Sequence, residues 1–352
     1  MGNPMKFKEA VTYDDMLMVP QYSDIKSRSE VDISSDLGRG KVLELPIIAS
    51  PMDTVSEDAM AIAMNNAGGM AILHRYHTVE EQAKMAQHAI QQTDWSGNVA
   101  AAIGVTDDYM RRAAALVAAG VDTLCVDVAH GHHILMKEAL KNLREEYDNH
   151  IHIMAGNVCT LEGVNDLADW GADSIRCNIG GGSICSTRVV TGHGLPGLQT
   201  IFDCARTDRD VAIIADGGIK SSGDIVKALA AGADFVMCGS LLAGTAETPG
   251  AVAYHPDGYP VKEYRGMASK DAQLDWRNKS STPEGVASYI PYKGNVGDIL
   301  LELRGGIKSG LSSSGARNLT ELRHKVEWSR QTSAGTHESG AHILNTYNAR
   351  RK

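Results

Sequence analysis

The chain has 352 residues, with 34 Lys and Arg against 43 Asp and Glu, for a formal net charge of −9. It is 43% apolar, 22% charged and 5% aromatic, the make-up of a globular protein with ample core material, which excludes collagen-like, disordered and disulfide-scaffold classes. The acidic balance argues against a nucleic-acid binder, and three Phe and four Trp leave little stacking surface for single strands.

In chain order, eight short apolar runs recur with helical segments between them. They are 45–50 (LPIIAS), 70–75 (MAILHR), 98–105 (NVAAAIGV), 122–130 (DTLCVDVAH), 151–158 (IHIMAGNV), 173–180 (DSIRCNIG), 210–218 (DVAIIADGG) and 234–240 (DFVMCGS). Their spacing fits one βα unit each, and near-continuous Val, Ile, Ala and Met reads as strands covered on both faces. Three are preceded by similar punctuation, AAGVD (118–122), DWGAD (169–173) and AAGAD (230–234), in which a glycine would cap one helix and the next strand would start at once. Right-handed crossovers between eight such strands can close into an α/β (β/α)8 TIM barrel; a doubly wound open sheet is the alternative.

After the eighth strand the repeat stops. Residues 251–294, rich in Tyr, Pro, Gly and charge, read as an excursion, a candidate flap or lid with a short hairpin at its base. Residues 296–311 have helical spacing that is expected to break at Gly305-Gly306. The polar tail from about 330 is expected to dock on a neighbour or fray. Without a low-complexity linker, the expectation is a single domain over 1–352. The N-terminus lacks the apolar run of a signal peptide, and no stretch approaches the ~18 apolar residues of a membrane helix. Cysteines 125, 159, 177, 185, 204 and 238 show no CxxC and no zinc spacing. Free thiols in a reducing cytoplasm are therefore expected.

Polar residues and glycines gather at the C-terminal ends of the strands, the active face of a barrel. NIGGGSICSTRVVTGHG (178–194) sets three consecutive glycines ahead of Cys185, beside Ser183, Ser186, Thr187 and Arg188. Converging amide dipoles and a nearby cation would lower that thiol's pKa and make it a nucleophile. Cys125, Cys177, Cys204 and Cys238, flanked by apolar residues, read as small core residues. Asp216-Gly217-Gly218 ends the seventh run and Gly239-Ser240 the eighth, and loops after those strands commonly bind phosphate. Ser221 or Ser222 would cap the helix that follows. Asp127 could bind a ribose hydroxyl or orient a histidine. His130, His132 and His133 follow it at a spacing that is no zinc signature and read as loop residues. Tyr264 and Arg265 could reach a phosphate, and Glu284, in a Pro-Glu-Gly turn, is either a carboxylate facing the site or a turn residue.

Together these stretches resemble the IMP dehydrogenase/GMP reductase family. The resemblance is carried by 12–24 (TYDDMLMVPQYSD), 50–64 (SPMDTVSEDAMAIAM), 155–158 (AGNV), 180–188 (GGGSICSTR), 213–245, 264–267 (YRGM) and 284–294 (EGVASYIPYKG), in family order. It implies a (β/α)8 barrel, a homotetramer, a purine nucleotide (GMP or IMP) attacked at C2 by Cys185, and no CBS insertion, since no gap between strands has room for one. It further implies Thr187 and Glu284 as proton carriers. Ser50, Ser183, Gly217, Gly218, Gly239, Ser240, Tyr264 and Gly266 would lie around the nucleotide and its phosphate. Asp216 would hold the ribose, and Met52 and Met267 would flank the purine. Asp127, Asn157, Gly180 and Gly182 would line the nicotinamide side. Carbonyls of Gly180, Gly182 and Cys185 are candidate ligands for a potassium ion.

Within the family, the dehydrogenase branch carries an Arg-Tyr pair on a long flap and passes hydride to NAD. Here only fourteen residues (268–281) and Thr282 separate YRGM from PEG, and the nearest pair is Trp276-Arg277. With DVAHGHH (127–133), this resembles the NADPH-dependent GMP reductases. LLAGTAETPG (241–250) and THESGAH (336–342), the latter like a potassium-binding tail, resemble the dehydrogenases. The loop carries Gly-Gly-Gly where the family pattern has Gly-Pro-Gly, and Ser186 in place of a Thr. A nucleotide-binding barrel without catalysis is the remaining alternative.

Overall fold

The computed structural model describes residues 9–93 and 98–340. Eight parallel strands close into a barrel: β1 (Ile47–Ala49), β2 (Met70–Leu73), β3 (Val99–Ile103), β4 (Thr123–Asp127), β5 (His152–Val158), β6 (Ser174–Cys177), β7 (Ala212–Asp216) and β8 (Phe235–Cys238). Their order around the ring follows the chain, and Val236–Cys238 pairs back onto Ile47–Ala49. Closure removes the open-sheet alternative.

Every residue of these strands is buried except Asp127, Asn157 and Asp216, which lie at or next to strand C-termini. The apolar runs hide a period of two. Ile48, Met70, Ile72, Ala100, Ala102, Cys125, Met154, Ile214, Phe235 and Met237 fill the barrel, while their strand neighbours pack outward against helices. Leu37 and Leu43, from a hairpin of 35–43, plug the N-terminal end.

The outer ring is α1 (Asp58–Asn66), α2 (Val79–Gln91), α3 (Tyr109–Ala118), α4 (Ile134–Tyr147), α5 (Leu161–Asp169), α6 (Gly197–Cys204), α7 (Ser222–Ala230) and α8 (Val296–Ser313). Gly120, Gly171 and Gly232 take positive φ where α3, α5 and α7 end. Ser221, not Ser222, caps α7 by accepting from Asp224 N.

Three expectations are corrected or refined. The helix over 296–313 does not break at Gly305-Gly306. Gly306 serves packing, since a Cβ there would lie 2.2 Å from Ser222 Oγ and its missing side chain lets α8 close on α7, whereas a Cβ at Gly305 would meet open space. The excursion extends its short hairpin to three antiparallel strands, β9 (Ala253–Tyr254), β10 (Pro260–Arg265) and β11 (Ala287–Pro291), with a helix over Lys270–Arg277 between the last two. The tail docks on its own chain: Trp328–Arg330 pairs antiparallel with Met16–Met18, and Thr336 Oγ1 donates to the Asp14 carbonyl. The last two residues of THESGAH and the rest of the tail lie outside the described residues.

Candidate active site

At the C-terminal face of the barrel a cleft of about 430 Å³ is lined by Ser50, Met52, Asp127, Asn157, Gly180, Gly182, Ser183, Cys185, Thr187, Asp216, Gly217, Gly218, Gly239, Ser240, Tyr264, Gly266, Met267 and Glu284. The barrel thus brings these residues to one place, while Arg265, Ser186 and Arg188 do not line the cleft. A larger, mostly apolar cleft of about 800 Å³ adjoins it, sharing Ala129, Ile179, Thr187 and Glu284. Cys185 lines only the smaller one.

Cys185 is the one exposed cysteine among the described residues. Its Sγ–H donates to Thr187 Oγ1 at 3.2 Å. Burial pushes Cys125 and Cys238 up to about 12 and holds Cys177 well above the usual thiol range, so those thiols stay protonated and inert. The cysteine loop is held by backbone pairing to the flap: Ser186 N donates to Glu284 O and Val286 N to Ile184 O, each at 3.0 Å. Cys185 therefore faces Gly285, and Glu284 is carried beside it.

Opposite lies a contour of glycines and hydroxyls. Gly217 and Gly218 both take positive φ, and their turn presses against Gly181 and Gly182 closely enough that added Cβ atoms would sit 3.3 Å from that backbone. At Gly239 a Cβ would meet the Tyr264 hydroxyl at 2.9 Å and Ser50 Oγ at 3.0 Å. Ser50 Oγ is buried with no partner among the described residues, the mark of a group that awaits a ligand. Burial pushes the Tyr264 phenol up to about 12, so it remains a donor at neutral pH. Lys293 Nζ donates to the carbonyls of Ser240 and Leu241, fixing this turn.

A polar relay crosses the barrel mouth. Arg176, buried on β6, donates to Asp127 and, at 2.9 and 3.1 Å, to Asp216 Oδ2. Asn157 Nδ2 donates to the same oxygen at 2.7 Å. Asp216 Oδ2 is thus committed, and Asp127 orients an arginine rather than a histidine. The two carboxylates hold Arg176 charged against its burial. Sequence reading missed Arg176; its signal was a lone charge inside an otherwise apolar strand.

Arg265 does not line the cleft. Its guanidinium is tied to Asp53 and Asp275. Of the β4-loop histidines, His132 bonds Asp166, His133 caps α4 and His130 lines the larger cleft. Thr245 and Thr248, in the segment 241–250, hold Lys262 Nζ through their carbonyls. The carbonyls of Gly180 and Cys185 accept no hydrogen bond among the described residues, and Gly182 O accepts only Cys185 N, so the loop offers oxygens that suit a monovalent cation.

Fold and site together define a (β/α)8 barrel with an exposed thiol in the cleft at its C-terminal face. The chain belongs to the IMP dehydrogenase/GMP reductase family: the family model described as "IMP dehydrogenase / GMP reductase domain" matches residues 10–342. Among its relatives are an inosine-5′-monophosphate dehydrogenase of Nitrosopumilus maritimus (32% identical over 96% of this chain and 99% of that protein) and a GMP reductase of Leishmania major (33%, over 98% and 99%). The first alignment runs over 473 positions, so that relative holds residues with no counterpart here. A GMP reductase from Trypanosoma brucei, solved as a cysteine-to-alanine variant with guanosine 5′-monophosphate, is 32% identical, covers 96% of this chain and 98% of its own, and superposes with a TM-score of 0.90.

Proposed function

We propose that the protein is a GMP reductase: GMP + NADPH + 2 H⁺ gives IMP + NADP⁺ + NH₄⁺. The observation that carries this reading is the flap. The helix Lys270–Arg277 ends in Trp276-Arg277, and Trp276 stacks on Tyr76. No Arg-Tyr pair stands there to activate a water, so the chemistry left to the thiol is loss of the 2-amino group.

In this reading Cys185 Sγ adds to C2 of GMP. A proton passes through Thr187 and Glu284 to the amino group, which leaves as ammonia; general acids of this kind contribute ~10²–10⁴-fold. NADPH, when bound, supplies a hydride to C2, and the thiolate departs. Asp127, Asn157, Gly180 and Gly182, which line the smaller cleft, would orient the nicotinamide. Ser50, Ser183, Gly217, Gly218, Gly239, Ser240 and Tyr264 would hold the phosphate, Asp216 the ribose, and Met52, Gly266 and Met267 the purine. Potassium would take the carbonyls of Gly180, Gly182 and Cys185, of which Gly182 O also accepts Cys185 N. A homotetramer is the assembly this reading carries, checked by sedimentation.

The second reading, an NAD-dependent IMP dehydrogenase, is favoured by segments 241–250 and 336–342. A paired assay decides: NADPH oxidation with GMP against NAD reduction with IMP. Turnover only in the second overturns the proposal, and turnover in neither leaves a purine-nucleotide-binding barrel.

A further inference from the structure

Behind the site, Glu57, His74 and His77 place three ligand-type atoms within 4.8 Å of one another. Their hydrogen bonding argues against a metal. His74 Nε2 and His77 Nε2 lie 3.1 and 3.2 Å from the same Glu57 oxygen. The Tyr76 amide donates to His74 Nδ1 at 3.2 Å, so the proton of that ring sits on Nε2 and points at the carboxylate. A ligating histidine needs the opposite arrangement, with its second nitrogen donating outward. The cluster is a clamp. Its bonds to His74 and His77 hold the Glu57 carboxyl down to about 2, and His74 in turn fixes the backbone of Tyr76 just past β2.

The Tyr76 side chain reaches the flap. Its hydroxyl donates to the Met267 carbonyl at 2.7 Å, and its ring stacks on Trp276 with centroids 5.4 Å apart and planes 8° apart. Burial keeps the phenol protonated. Met267 belongs to a segment that pairs with the one carrying Glu284: Glu284 N donates to Ala268 O at 3.0 Å and Gly266 N to Val286 O at 3.1 Å. That second segment pairs in turn with Ile184 and Ser186. Three extended pieces of chain therefore lie side by side, with Cys185 at the far edge and Tyr76 at the near one.

We propose that Tyr76 is a positioning residue, which through Met267 and Trp276 sets the place of Glu284 and of the Cys185 loop. A misplacement of about 1 Å at reacting groups can cost ~10²-fold in rate. The kinetic arm of the test rests on the reductase reading; a second arm does not.

Tyr76→Phe keeps the stack and removes only the hydroxyl, Tyr76→Leu removes both, and Trp276→Leu removes the stack from the other side. The expected kcat with GMP falls about threefold to tenfold for Tyr76→Phe and on the order of 100-fold for Tyr76→Leu, with KM changing less than about threefold. The double variant Tyr76→Leu/Trp276→Leu should be no worse than the poorer single one, because both cut one connection. The independent arm is alkylation of Cys185 by iodoacetamide, followed at that residue by mass spectrometry. Its rate should rise in Tyr76→Leu and return most of the way in Tyr76→Phe. An unchanged kcat and alkylation rate in Tyr76→Leu, or losses that multiply in the double variant, would overturn the proposal. If Tyr76→Leu does not fold, the Tyr76→Phe arm decides alone. If the wild type turns over neither nucleotide, the functional reading fails while alkylation still judges the anchor.

Discussion

A guanidinium sealed between two aspartates is costly to bury and costlier to remove. Arg176 neutralises Asp127 and Asp216 at the barrel mouth, so Arg176→Met would leave two carboxylates facing each other without a counter-ion. Breaking a buried pair in this way costs ~3–5 kcal/mol. A lowered thermal midpoint and weaker GMP binding are expected together, and a midpoint equal to wild type would show that the relay carries no structural weight. Cys185→Ser is the opposite case: the side chain is exposed, so stability and GMP affinity should hold while turnover disappears. Near-normal turnover in that variant would end the covalent mechanism. Glu284→Gln should slow ammonia release more than hydride exchange at the adduct, read by single-turnover kinetics; equal losses would remove its role as proton carrier. Cys185 was legible because it stands among glycines and hydroxyls, whereas its five sister thiols lie in apolar or partly covered surroundings. Arg176 was not, because a strand that is otherwise Ser, Ile and Cys gives no sign of which face its single charge occupies. That face is fixed only when neighbouring strands bring Asp127 and Asp216 to either side.

At the scale of elements, the eight strands were readable because a doubly covered strand needs apolar residues on both faces. The glycine punctuation before three of them follows from cap geometry that needs no tertiary context. The helix over 296–313 was misjudged for the converse reason. Propensity puts two consecutive glycines at a cost of roughly 2 kcal/mol relative to alanine, which favours a break. The contact between α8 and α7 outweighs that cost, and it joins residues some eighty positions apart in sequence. Gly306→Ala follows as a test. Its Cβ would sit 2.2 Å from Ser222 Oγ and 2.4 Å from Ser222 Cβ. Although alanine is the better helix former, overpacking of this kind costs about 1–3 kcal/mol. The variant should therefore melt lower than wild type, and a higher midpoint would show that α8 can shift without loss. The pairing of the 251–294 segment to the cysteine loop was hidden: the backbone bonds of Glu284 and Val286 leave no trace in side-chain type.

The whole barrel divides its chemistry between two ends. The C-terminal mouth keeps its polar atoms partnered to one another or aimed into the cleft. The N-terminal end is shut by the 35–43 hairpin, where Arg39 and Arg144 pair with Asp173 and Lys41 with Asp122. Inside that seal lies His152, its Nε2 2.9 Å from Ser174 Oγ and its Nδ1 buried without a partner among the described residues. Burial pushes its pKa from the usual 6.5 down to about 4; Asp173 opposes this, while Lys41, Arg144 and Arg39 add to it. Above pH 6.5 the ring is neutral in both folded and unfolded chains, and the stability associated with it is complete. As pH falls from 6.5 toward 4, the unfolded chain takes up a proton that the folded barrel refuses, so stability declines, by up to roughly 3 kcal/mol, and the decline levels off once the folded ring also protonates. His152→Gln can keep a hydrogen bond to Ser174 and has nothing to titrate. Urea midpoints measured between pH 7.5 and 4.5 should therefore fall more steeply for the wild type than for this variant. Parallel profiles would mean that the base of the barrel opens to water, and that the hairpin seals it less tightly than Leu37 and Leu43 imply.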